Sequence, residues 1–176
     1  MSKSRLVSDI ELLAREEWLT LRDIRLSALQ ESPHAFLSTY DREKSFSEKR
    51  WLAEFGRGLW AIGMLHGTPI SLLGATREPG TPADKCYLEY LWVTPEYRRS
   101  GVASSMLAAV IDHVQALGVR TVFLWVLDGN DAAVCLYKRA GFVSNNYRQP
   151  LEEHPGRSEE LMRLDLVPAP GHRCDG

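Results

Sequence analysis

The residues best placed to do chemistry lie in the run Leu88-Glu89-Tyr90-Leu91-Trp92-Val93-Thr94-Pro95-Glu96-Tyr97-Arg98-Arg99-Ser100-Gly101-Val102-Ala103. A β-favouring stretch gives way there to a turn, and the turn to helical spacing. Pro95 stops the strand, and Gly101 opens the apolar series of a helix. A short turn from strand into helix leaves several backbone N–H groups unpaired at the positive end of the helix dipole. Such a turn is an anion site. Arg98 and Arg99 add positive charge, so a polyphosphate is the expected anion. The Gly-Lys-Ser/Thr string of a P-loop is absent, and of the three spaced glycines of a dinucleotide fingerprint only Gly101 is present.

A second segment follows at residues 122–142, reading as strand, turn, helix and then Gly141-Phe142. Asn130 opens its helix as an N-cap. Together Arg98-x-x-Gly101-x-Ala103 and Asn130-x-x-Ala133-x-x-Leu136-Tyr137-x-x-x-Gly141-Phe142 resemble the two motifs of the GCN5-related N-acetyltransferase (GNAT) superfamily. The resemblance is clear over residues 86–142 and looser elsewhere. It implies an α/β fold with a central mixed sheet of six to seven strands and about four flanking helices. The two central parallel strands, here 86–93 and 121–127, would splay apart to admit the pantetheine arm of a coenzyme.

The resemblance further implies acetyl-CoA as acyl donor, and direct transfer to a primary amine within a ternary complex. Backbone N–H groups of Arg99, Ser100, Gly101, Val102 and Ala103, with Ser104 in the same turn, would hold the diphosphate, and Arg98 takes the motif's first position. Leu91, Trp92 and Val93 would bond the pantetheine through their backbone, as one more strand does. Asn130 and Ala133 would contact the same arm. Tyr137 would donate a proton as the thiolate leaves.

The amine must first lose a proton. Glu89, on the central strand, is the candidate base, and strand alternation puts Glu89, Leu91 and Val93 on one face. The competing reading of Glu89 is a carboxylate paired with an arginine, with water relaying the proton. The acidic loop at Glu152-Glu153-His154 could attract a cationic amine or be simply solvated. Phe36 and Tyr40 could wall the acceptor cleft, with core packing an equal reading for Phe36.

The elements that would position these groups follow from periodicity. A first strand falls within 5–13. Trp18, Leu21, Ile24 and Ala28 recur at helical spacing over 15–31, and Ser32-Pro33 ends that helix. A short helix at 47–55 starts at Ser47. Strands at 59–65 and 70–76 flank a turn at 66–69, in what reads as a run of four strands ending at Val93. Helix 101–117 presents Val102, Met106, Val110, Val114 and Leu117 on one stripe, and Gly118 stops it. The strand 121–127 is near-continuously apolar, as in a sheet covered on both faces. Helix 130–140 and strands near 142–149 and 160–167 complete the order. One domain over 1–167 and a loose tail from Pro168 are expected.

Composition excludes several classes. With 44% hydrophobic and 25% charged residues, the 176-residue chain has the balance of a globular domain. A net charge of −2 argues against nucleic acid as the main partner. Cys86, Cys135 and Cys174 have neither metal spacing nor an even count, which points to a reducing, cytoplasmic setting. Cys135 reads as packing. The five histidines show no metal spacing, so no metal is expected. Charges throughout residues 1–20 leave no secretory segment, and no apolar run is long enough to span a membrane. A homodimer is compatible with all of this. Two other functions stay open: a non-catalytic acyl-CoA sensor of the same fold, and an enzyme acting on charged tRNA, which the net charge disfavours.

Overall fold

The computed structural model describes residues 9–152 and 154–166. The strands are β1 (Asp9–Leu12), β2 (Gly58–Leu65), β3 (Thr68–Thr76), β4 (Lys85–Val93), β5 (Thr121–Leu127), β6 (Val143–Pro150) and β7 (Ser158–Asp165). The α-helices are α1 (Trp18–Glu31), α2 (Tyr40–Lys44), α3 (Glu48–Phe55), α4 (Val102–Ala116) and α5 (Asp131–Arg139). One mixed sheet runs in the order β1-β2-β3-β4-β5-β7-β6, with β4 and β5 its parallel pair. Among the described residues no helix is long and apolar enough to cross a membrane.

Two apolar cores sandwich the sheet. On one face Val102, Met106, Val110 and Val114 of α4 pack against Cys86 and Leu88 of β4, Val122, Leu124 and Val126 of β5, and Met162 of β7. On the other, Leu21, Ile24 and Ala28 of α1 pack against Trp60, Ile62, Leu72 and Trp92. The α4 stripe ends one position before the reading above: Leu117 is the C-cap and lies in solvent, because Gly118, at φ 90°, has already turned the chain.

Other departures have local causes. Three strands, not four, lie between α3 and α4. The β2–β3 turn closes within His66 and Gly67, both left-handed, so Thr68 and Pro69 join β3. Thr39 caps α2 by accepting from the Arg42 N–H at 3.3 Å, a single turn too short to show periodicity. Cys135 is exposed on the outer side of α5 rather than packed. The strand β5 is covered on one face only: Val122, Leu124 and Val126 are buried, while Thr121, Phe123, Trp125 and Leu127 are half-open. Residues 5–8, Glu153, His172, Cys174 and the tail from Pro168 lie outside the described residues.

Candidate functional site

The parallel pair comes apart where the resemblance requires it. β4 and β5 are in register only at Lys85↔Thr121, Cys86↔Val122 and Tyr87↔Phe123, although both strands continue well beyond. From Leu88 to Val93 the β4 edge facing β5 has no ladder partner. A β-bulge drives the divergence. The β3–β4 register shifts between Leu72 and Gly74, and Tyr90 opposite takes a left-handed φ of 62°. A bulge adds a residue, bends the strand and increases its twist.

A left-handed tyrosine costs about 1–2 kcal/mol, so its surroundings must fix it. Its ring stacks on Trp60 at 5.2 Å, the Arg25 guanidinium lies 3.8 Å from its centroid, and its hydroxyl donates to Glu54 at 2.9 Å. Arg25 is in turn buried, gripped by both carboxylate oxygens of Glu43 at 3.0 and 2.8 Å, with the Phe36 ring 4.5 Å away. Phe36 therefore packs against the core through Arg25.

The bulge corrects one expectation. Alternation is interrupted at Tyr90, so Cys86, Leu88, Leu91 and Val93 all meet the α4 core, and Glu89 does not share a face with Leu91 and Val93.

The turn before α4 keeps its donors free. Among the described residues no bond within the chain uses the N–H of Arg99, Ser100, Gly101, Val102, Ala103 or Ser104. Gly101 is the N-cap at φ 93°, without a side-chain cap, and Arg99 is left-handed at φ 58°. Successive N–H groups in such a turn form a concave nest for anions. A Cβ built on Gly101 would meet no heavy atom within 4 Å, so the space in front of the turn is open. The exposed Arg99 guanidinium has no partner among the described residues.

Arg98 departs from its expected role. Its N–H bonds the Pro95 carbonyl at 3.2 Å. Its guanidinium donates to the Val93 carbonyl at 2.9 Å, to Ser32 Oγ at 2.9 Å and to Glu31. Glu31 also accepts from Trp92 Nε1 at 3.1 Å. Burial alone would raise the Glu31 pKa, but the bonds from Ser32, Trp92 and Arg98 hold it below the ordinary carboxylate value. Arg98 thus ties the end of α1 to the end of β4 and is turned from the anion nest, because Glu31 offers it a charged partner.

Across the gap, Asn130 Oδ1 caps α5 by accepting from the Ala133 N–H at 3.2 Å, so that amide is already engaged. Tyr137 lies two turns along α5, edge-on to Phe142 at 5.9 Å. Its hydroxyl has no hydrogen-bond partner among the described residues, and burial pushes its pKa up to about 12. Tyr137 therefore keeps its proton at neutral pH.

Glu89 is half-buried and meets Arg57 at 3.3 Å, a cation it shares with Glu54 and Glu78. Burial raises the Glu89 pKa, and Arg57 only partly opposes this. Both readings of Glu89 thus coexist: it is paired, and it is more basic than an ordinary carboxylate. His154, in the loop after β6, lies with Nε2 3.2 Å from the Leu37 carbonyl. Among the described residues no group of three His, Cys, Asp or Glu side chains could hold a metal ion. A surface cleft of about 870 Å³ lies beside α3, lined by Arg15, Lys49, Leu52, Arg57, Arg77 and Glu78, and none of the expected site residues lines it. Glu31 and Tyr90 were missed by sequence reasoning, and no local signal marks either: their partners come from distant elements.

A sheet opened at its central parallel pair, with free amides at the helix start beside the opening, is the arrangement that the two motifs imply. The family model described as "Acetyltransferase (GNAT) family" matches residues 18–142, and the chain belongs to that family. It is 37% identical over 66 residues to the [ribosomal protein bS18]-alanine N-acetyltransferase of Escherichia coli, covering 38% of this chain and 45% of that protein. It is 44% identical over 57 residues to histone acetyltransferase MCC1 of Arabidopsis thaliana, covering 32% and 23%. Against the mycothiol acetyltransferase of Propionibacterium freudenreichii it is 38% identical over 65 residues, covering 37% and 20%. The matched segments thus span less than half of each relative. Among solved structures, a GNAT acetyltransferase from Streptococcus pneumoniae superposes with TM-score 0.73 over 90% of this chain and 100% of the other, at 19% identity. The Escherichia coli ribosomal-protein-S18-alanine N-acetyltransferase gives 0.67 over 94% and 97%, at 22% identity. At these identities the superpositions speak for the fold.

Proposed function

We propose that the chain is an acetyl-CoA-dependent N-acetyltransferase that passes the acetyl group directly to a primary amine in a ternary complex. The observation that carries this reading is the row of unpaired N–H groups from Arg99 to Ser104, set beside a β4 edge that has lost its β5 partner. The nest and Arg99 suit the diphosphate of the donor substrate. The free β4 edge at Leu91, Trp92 and Val93 suits the pantetheine amides.

In the transfer, the amine nitrogen bonds the acetyl carbon and the carbon–sulfur bond breaks. Deprotonating an amine of pKa near 10.4 costs about 4–5 kcal/mol at pH 7. Glu89, made more basic by burial, takes that proton directly or through water. Tyr137 supports the departing sulfur. A phenol near 12 does not readily surrender its proton to a thiolate whose acid has a pKa near ~8.5. Tyr137 therefore acts first as a hydrogen-bond donor to the developing charge. Asn130 keeps α5, and with it Tyr137, in place.

The test follows free thiol from acetyl-CoA across a broad amine panel. Amine-dependent release that falls in Tyr137→Phe is the expected result. Saturable acetyl-CoA binding with no turnover on any amine would replace the enzyme with a coenzyme-binding domain.

A further inference from the structure

Between Arg163, opposite Phe123, and Glu159, opposite Leu127, the sheet face next to the opening is apolar where a solvated surface would be polar. A face left open to water normally alternates to polar side chains. On β5 the open face instead carries Phe123 and Trp125. The register extends this row across the sheet: Trp125 pairs with Leu161 of β7, and Leu161 with Tyr147 of β6. The Trp125 and Tyr147 rings meet edge-on at 5.8 Å, and Phe123 stacks on Tyr87 of β4 at 5.4 Å. Tyr147 is 52% exposed. The α1 helix covers β3 and β4, while α4 and α5 lie against the opposite face.

This aromatic face is continuous with the reaction site. Tyr87↔Phe123 is the last rung before β4 and β5 part, and Glu89 is two residues further along β4. An amine nitrogen set in the gap would leave its substituent beside Trp125, whose ring meets that of Tyr147 further along the sheet. Glu159, buried opposite Leu127 two residues beyond Trp125 and accepting from Gln149 at 2.8 Å, adds a second carboxylate to the side that receives a cation. Two bonds then bridge this side to the segment before α2: His154 to the Leu37 carbonyl at 3.2 Å, and Arg157 to the His34 carbonyl at 3.2 Å.

We propose that the acceptor is a small amine carrying an aromatic ring one or two carbons from its nitrogen, seated on Phe123, Trp125 and Tyr147. This rests on the transferase reading and narrows its substrate class. A sugar would strand its hydroxyls on the aromatic row, whereas a ring removes that apolar surface from water.

The test compares kcat/KM for 2-phenylethylamine with ethanolamine, putrescine, glucosamine and a peptide with a free N-terminus. The aryl amine is at least tenfold better, and Tyr147→Ser and Trp125→Ala each cut that advantage severalfold by raising KM for the aryl amine. The coenzyme-induced rise in melting temperature reports that each variant is folded, and Tyr147, half in solvent, tolerates truncation even where Trp125 does not. Equal or better turnover of the polar amines or the peptide overturns this inference and leaves the transferase reading standing. No turnover on any amine overturns both.

Discussion

Replacing Gly101 separates what the turn does for the fold from what it does for the coenzyme. At φ 93° any L residue is strained, by about 1–2 kcal/mol. No heavy atom lies within 4 Å of a Cβ built there, so strain is the whole structural cost. For a chain of 176 residues that lowers Tm by about 2–8 °C, and Gly101→Ala and Gly101→Glu should share this loss. They differ with ligand. Acetyl-CoA at a hundred times Kd stabilises by about 2.7 kcal/mol, a rise of about 5–11 °C. The alanine variant keeps its N–H and should show that rise. The glutamate variant projects a carboxylate into the nest, where one charge pair at ~5 Å in an effective dielectric of ~20 repels by about 3 kcal/mol. That matches or exceeds the ligand's contribution, so the rise should vanish. Differential scanning fluorimetry with and without acetyl-CoA reads both numbers. A glutamate variant that retains the full rise would refute the placement of the diphosphate.

Tyr137→Phe should lower kcat about a hundredfold with little change in KM for acetyl-CoA, measured by thiol release, because the hydroxyl acts only as charge develops on sulfur. For Glu89 the active form is the carboxylate, and its raised pKa moves the acid limb of the kcat/KM profile above the range of an ordinary carboxylate. Activity should rise as pH climbs through that limb, and Glu89→Gln should erase it while leaving the limb of the amine itself. Glu43→Ala would strand the buried Arg25 guanidinium, costing about 3–5 kcal/mol, which chemical denaturation would measure. It should also loosen Tyr90 and so slow turnover.

How much of this was legible in the sequence depends on how local its causes are. The strand stop at Pro95, the left-handed Gly101 and the Asn130 cap act within a few residues, so both motif turns read correctly. The bulge does not announce itself. Tyr90 is held left-handed by Trp60, Arg25 and Glu54, which three other elements deliver. Missing it misplaced Glu89 relative to Leu91 and Val93. Arg98 fits its motif by type and spacing, but Glu31 at the far end of α1 captures its side chain. Phe123 and Trp125 read as core because apolar identity does not reveal whether a helix covers them.

Backbone amide NMR during a coenzyme titration tests the central claim most directly. Acetyl-CoA should shift the amides of Arg99, Ser100, Gly101, Val102 and Ala103 strongly, and pantetheine, which lacks the diphosphate, should leave them near their free positions. Coenzyme shifts that cluster elsewhere and pass over this turn would contradict the account.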